Sequence, residues 1–238
     1  MNLDDLQRFT RRFGEFGVDA YTAGLRGHEN VQRVVKEADE RAPMVFGGAW
    51  HTDSAFLPRP PAISILYGKD VPPVGGDTWF ASTALAYKFL SDIMKQVLGP
   101  LEVHMSARNV LAAIKPPAST QEGPRMTAVS GDYDIEAQMM RGANHPLVRT
   151  HPHTGAKGLY VDNTYAVAIA GMKPVESSAL INFLLAHITQ PIFTARIRWA
   201  PGTILLWDNR TTFHHAFNDY DGHRRKMYRT IVAGEIPA

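Results

Sequence analysis

The chain has 238 residues, enough to bury a sizeable core and to form one β-rich domain. Apolar residues at 45% and charged residues at 20% describe a globular chain rather than a disordered, collagen-like or coiled-coil one. Lys plus Arg (25) against Asp plus Glu (23) leaves a net charge of +2, with no basic run carrying interleaved aromatics, which argues against a nucleic-acid partner.

Asn2 caps a short amphipathic helix in which Leu3, Leu6, Phe9 and Phe13 recur at helical spacing, with Gly14 and Gly17 as stop signals. Residues 18–42 are polar and mixed and read as a loop or lid. Short β-like runs follow at 44–46, 50–53, 62–67 and 77–81, punctuated by Pro and Gly. Ser82 then caps a helix whose Leu85, Phe89, Ile93 and Val97 follow at four-residue steps to Gly99-Pro100. A strand is expected at 101–106. The stretch 115–142 has no sustained period and reads as an active-site cover.

Strand signals resume at 147–150 and 158–162. A helix over 175–189 carries Leu180, Phe183, Leu184 and His187 on one side, and Pro191 ends it. Phe193, Ala195, Ile197 and Trp199 alternate with polar residues, the period-2 pattern of a half-buried strand. The last strands are expected at 203–207 and 227–233. Many short strands with peripheral helices, and no strand–helix alternation, predict a mainly β (α+β) fold in a single domain, 1–238.

The absence of cysteine removes disulfides and thiolate chemistry, so a metal site must draw on His, Asp and Glu, and ten histidines are present. The N-terminus carries no signal-peptide pattern, and the longest apolar stretch, 179–188, is interrupted by Asn182 and too short for a bilayer. The expectation is a cytoplasmic protein with no membrane partner.

His51-Thr52-Asp53 places an imidazole and a carboxylate two residues apart on a strand-like segment, so both can face one ion. His214 or His215 would supply a third ligand, giving the two-His, one-carboxylate set that suits non-haem Fe(II). Alternation sends His215 to the face opposite His214. His151 and His153 lie beside a turn signal, Thr154-Gly155, which favours a solvated role. Arg225, Met227, Arg229 and Ile231 share strand parity, so both arginines can face the interior.

His51-Thr52-Asp53, Gly76-Asp77-Thr78, Trp207-Asp208-Asn209-Arg210 with His214, and Arg225 with Arg229 together resemble the TauD/TfdA family of Fe(II)/2-oxoglutarate dioxygenases. Arg11-Arg12-Phe13-Gly14-Glu15 and Arg149-Thr150-His151-Pro152 extend the likeness over nearly the whole chain, and ten residues separate His214 from Arg225. The resemblance implies a double-stranded β-helix, or jelly-roll, core with flanking helices. It also implies Fe(II) held by His51, Asp53 and His214, and 2-oxoglutarate held by Thr78 and Arg225. It further implies an anionic group of a small-molecule substrate at Arg229, and hydroxylation driven by O2 with release of succinate and CO2.

Two departures from the family pattern stand out. Taurine-specific members carry a sulfonate-binding His where this chain has Asp19, and an Asn where it has Gly47. A carboxylate-bearing substrate held by Arg229, with a cationic group near Asp19, is therefore expected in place of taurine. Relatives also carry several tens of residues ahead of the opening helix; without that unit, exposed sheet edge would offer contacts for a homo-oligomer. A zinc or manganese hydrolase using the same ligands, and a jelly-roll binding protein without turnover, are the alternatives. The hydrolase would need a general base, for which Glu15 and Asp77 have no spacing support.

Overall fold

The computed structural model describes residues 1–41, 47–114 and 133–238. Its elements, in order, are α1 (Leu3–Thr10), β1 (Gln32–Lys36), β2 (Ile63–Asp70), β3 (Thr78–Ser82), α2 (Thr83–Lys88), α3 (Asp92–Leu98), β4 (Glu102–Met105), α4 (Arg108–Ile114) and α5 (Tyr133–Arg141). There follow β5 (Ala143–Pro146), β6 (Val148–Thr150), β7 (Lys157–Leu159), β8 (Ala166–Ile169), α6 (Pro174–Ile188), β9 (Thr194–Ile197), β10 (Ile204–Asp208), β11 (Thr212–Ala216) and β12 (Arg225–Val232). The result is the sheet-rich, mainly β arrangement with helices that the run of short strands predicts.

Two antiparallel sheets position the site. One has the order β1-β12-β2-β10 and the other β11-β3-β9. Their facing sides meet in an apolar cluster of Leu66, Trp199, Trp207 and Met227, with Phe80 of β3 packed against it. Burying such aromatic and aliphatic surface is the main favourable term in holding two sheets together. A third sheet, β5-β4-β8, carries α6 on β8, where the Ser177 hydroxyl accepts from the Ile169 amide at 2.8 Å.

Local chemistry explains the ends of several elements. Asn2 accepts from the Asp5 amide at 2.8 Å while the Asp5 carboxylate takes the Asn2 amide, a reciprocal cap that satisfies two otherwise orphaned donors of α1. Ser82 caps α2 and Ser91 caps α3, each accepting an amide three residues on at 3.2 Å.

The second cap corrects the expectation of one continuous helix after Ser82. The chain restarts at Ser91, so the rotation of side chains about the axis is reset. Leu85, Phe89, Ile93 and Val97 are 37%, 59%, 75% and 50% exposed, whereas Ala86, Leu90 and Leu98 face the core. The four-residue stripe is the outer face. In α6 the buried residues are Ser177, Ile181, Leu184 and Ile188, one step round from the expected face, and Phe183 is half-exposed.

The stretch 18–42 also departs from the loop expected there. Gln32–Lys36 pairs with Arg225–Arg229 as an edge strand. Its inward residues are Gln32, Val34 and Lys36, so polar side chains mask the alternation. Lys36 is buried because Asn218 and Asp221 accept from its ammonium at 2.7 and 2.6 Å. Residue 42, the run 44–46 and most of the second expected cover, 115–132, lie outside the described residues. The rest of that cover, from Tyr133, forms α5.

Candidate metal centre

His51 is not on a strand but on a single antiparallel bridge to His214, with backbone hydrogen bonds of 3.0 and 2.8 Å in the two directions. The bridge brings both imidazoles to the space between the two sheets. Beyond Asp53 the chain turns away through Ser54, a non-glycine residue at φ 45. Asp53 Oδ1 lies 3.8 Å from His51 Nε2 and 3.7 Å from His214 Nε2, and all three residues are buried. One atom from each thus surrounds a common point. His215 is not in this group; its ring faces Trp50 and Phe217 on the other side of β11.

The donors suit a cation. The carbonyl of Ala49 lies 2.8 Å from His51 Nδ1, which therefore carries the proton and leaves the Nε2 lone pair directed at the cluster. Burial and the neighbouring His51 push His214 down to about 3, keeping it neutral and able to ligate. Burial would raise the Asp53 carboxyl, but His214, Arg229, His51 and the Ser64 hydroxyl outweigh it and hold the group below its usual range. Two imidazoles and one carboxylate fit a hard-to-borderline divalent metal such as Fe(II).

Thr52, between the ligands, is anchored from two directions. Its hydroxyl donates to the Asn209 carbonyl at 2.8 Å, and its amide donates to Asp162 Oδ2 at 3.3 Å. Asp162 is fully buried and also accepts from the Tyr165 and Thr164 amides; desolvation raises its carboxyl to about 6. Neither Asp162 nor Ser64, which bonds Asp53, stands out from the sequence: Ser64 is a single polar residue in an apolar run, and Asp162 opens the polar stretch Asp162-Asn163-Thr164.

The cavity beside the cluster is lined by His51 and His214 with Leu66, Thr78, Trp207, Arg225 and Arg229. Arg225 is buried between the rings of Trp199 and Tyr220, and among the described residues no carboxylate lies within ion-pair distance of it. Its Nε has no hydrogen-bond partner there, and burial lowers its proton affinity. A buried cation without a counter-ion is costly, and an anionic ligand would relieve that cost. Gly76, at φ +69, makes room for it: a Cβ there would stand 3.2 Å from Arg225 Cδ. Thr78 Oγ1 accepts from Trp199 Nε1 at 2.9 Å, which leaves its own proton to donate into the cavity.

Arg229 faces the same interior, as its strand parity predicts, and donates to Asp19. Asp19 also accepts from the Tyr21 amide at 2.8 Å, the Thr22 amide at 3.2 Å and the Thr22 hydroxyl at 2.9 Å. The cation that meets Asp19 in the structure is therefore Arg229. Away from the site, His151 is bound to Asp208 Oδ2 at 3.0 Å rather than solvated. Asp77 is tied to Arg196 at 2.8 Å.

The family model for the taurine catabolism dioxygenases, TauD and TfdA, matches residues 1–231. The chain belongs to the TauD/TfdA family. It is 35% identical over 190 residues to an alkylsulfatase of Acinetobacter baylyi, a match covering 79% of this chain and 57% of that protein. It is also 35% identical over 192 residues to an alpha-ketoglutarate-dependent sulfate ester dioxygenase of Pseudomonas putida, covering 79% of this chain and 60% of that one. The chain thus matches well under two thirds of the length of these family members. A crystal structure of a taurine dioxygenase from Burkholderia xenovorans superposes with a TM-score of 0.78 at 31% identity, covering all of this chain and 74% of its own.

Proposed function

We propose that the chain is an Fe(II)- and 2-oxoglutarate-dependent dioxygenase built on a double-stranded β-helix. His51, Asp53 and His214 hold the metal, and Arg225 with Thr78 holds the distal carboxylate of 2-oxoglutarate. The observation that carries this reading is the buried Arg225, without a carboxylate partner among the described residues, on the cavity that the His51–Asp53–His214 cluster also lines. A planar guanidinium offers two charge-assisted hydrogen bonds to a carboxylate, and the Thr78 hydroxyl adds a third.

Bound Fe(II) would couple 2-oxoglutarate and O2 to hydroxylation: one oxygen atom of O2 would enter succinate as CO2 leaves, and the other would be inserted into a substrate C–H bond. The protein's own groups hold and orient. The Ala49 carbonyl fixes the His51 tautomer, Asp162 and Asn209 fix the loop between the ligands, and the apolar contact between the sheets limits water at the site. We assign Arg229 to a carboxylate of a small substrate. Because Asp19 already accepts from this arginine, a substrate anion would share its charge with Asp19.

The test is an anaerobic titration of apoprotein with Fe(II) and then 2-oxoglutarate, followed by admission of air. Visible charge-transfer absorption on adding 2-oxoglutarate, and succinate after air, support the assignment. Folded protein that gives neither would refute it and favour a binding or hydrolytic role for the same ligands.

A further inference from the structure

Asp53 uses its two oxygens differently. Oδ1 faces His51 and His214, while Oδ2 takes the Ser64 hydroxyl at 2.5 Å. Ser64 is fully buried on β2, between Ile63 and Ile65. Its oxygen lies 2.9 Å from Asn209 Nδ2, and Asn209 Oδ1 lies 3.0 Å from Trp207 Nε1.

The donor and acceptor types give this chain one direction. An indole N–H only donates, so it fixes the amide oxygen of Asn209 towards Trp207 and turns the amide nitrogen to Ser64. Ser64 oxygen then accepts, and its single proton goes to Asp53, which as a carboxylate only accepts. Asn209 is held further by its backbone amide, which donates to the Ala62 carbonyl at 2.8 Å, and its carbonyl accepts the Thr52 hydroxyl. The relay therefore runs from β10 through β2 to the metal loop and reverses nowhere.

We propose that Ser64, aimed by Asn209 and Trp207, is a positioning residue that occupies one oxygen of Asp53 so that the carboxylate gives the metal a single oxygen. This rests on the metal-centre reading above. A carboxylate free to chelate through both oxygens would fill a coordination position that a cosubstrate needs, and one free to rotate would lose its aim at the point shared with the histidines.

Mn(II) alone, added to apoprotein and followed by electron paramagnetic resonance, tests the proposal without turnover. Ser64→Ala is expected to weaken Mn(II) binding about 10–100-fold and to change the spectrum of the bound ion, with secondary structure retained. Ser64→Thr keeps the hydroxyl and is expected to restore most of both. Trp207→Phe keeps the ring but removes the donor that sets the relay, and is expected to change the bound-ion spectrum in the same sense. Wild-type affinity and spectrum in Ser64→Ala, or in Trp207→Phe if Ser64→Ala does not fold, would overturn the proposal, as would equal losses in Ser64→Ala and Ser64→Thr. Wild-type protein that binds no Mn(II) would instead overturn the metal-centre reading itself.

Discussion

Arg229 donates through Nη2 to Asp19 and holds Nη1 3.7 Å from Asp53 Oδ1, so one buried guanidinium stands between two buried carboxylates. Burial alone would lower its proton affinity, but the charges of Asp19 and Asp53 raise it. Removing one partner from such a group costs more than replacing the group as a whole, because the remaining charge stays desolvated. Asp19→Ala is therefore expected to destabilise the apoprotein by about 3–5 kcal/mol. The double variant Asp19→Ala/Arg229→Met should lose clearly less than the sum of the two single losses. Denaturant unfolding of the four proteins measures this; strictly additive losses would mean that the pair is not energetically coupled.

Arg225 predicts the opposite pattern. It bears no carboxylate partner among the described residues, so Arg225→Met should leave apoprotein stability equal or higher, since the methionine fills the space without a desolvated charge. Affinity for 2-oxoglutarate should fall about 100-fold, the equivalent of losing one to two charge-assisted hydrogen bonds. Calorimetric titration of metal-loaded protein under argon reads the affinity. Lower stability with unchanged affinity would show that Arg225 is structural and would shift the cosubstrate role to Arg229, the other arginine that lines the cavity.

The contrast between these two arginines was only half legible in the sequence. Strand parity put both inside, since alternation follows from backbone geometry alone. That Arg229 meets Asp19 while Arg225 lies against the rings of Trp199 and Tyr220 depends on where residue 19 lies, 210 positions away along the chain, and no local pattern carries that. The His51–Asp53–His214 cluster was legible because two ligands are neighbours and the third sits on a strand. Ser64 was not, because its importance comes from Asn209 and Trp207 reaching it across the sheet. The single helix expected through Leu85, Phe89, Ile93 and Val97 misled for a physical reason: the four-residue steps run across Ser91, whose hydroxyl caps a second helix and so breaks the first.

Gly47 gives a geometric prediction. Its φ is +77, and a Cβ added there would lie 3.0 Å from His51 Cε1 and 3.8 Å from the Ala216 Cβ. Gly47→Ala must accept a left-handed backbone, costing about 1 kcal/mol, and must also shift the His51 ring by a few tenths of an ångström. Metal affinity should drop about 10-fold, because ligand placement is sensitive on that scale. Mn(II) titration checks it, and an unchanged dissociation constant would show that the His51 ring has slack.

His145 predicts how stability responds to acid. Its ring is buried beneath the metal loop, with Nε2 2.9 Å from the Ala55 carbonyl and 3.1 Å from the Leu57 carbonyl, so Nε2 carries the proton and donates to both. Burial pushes the group down to about 4, although the two carbonyls act in the other direction. In the unfolded chain the same imidazole titrates near 6.5, so between pH 6.5 and 4 the unfolded state binds the extra proton. The contribution is thus fully present above pH 6.5 and is lost as pH falls towards 4, amounting to about 3 kcal/mol. Gln at this position can donate to the same carbonyls and cannot titrate. The stability of His145→Gln apoprotein should therefore fall less steeply than that of wild type over this window, and the difference between the two should narrow or reverse by pH 4. Parallel slopes in urea unfolding across pH 7 to 4 would show that His145 is not the group that couples acid to unfolding.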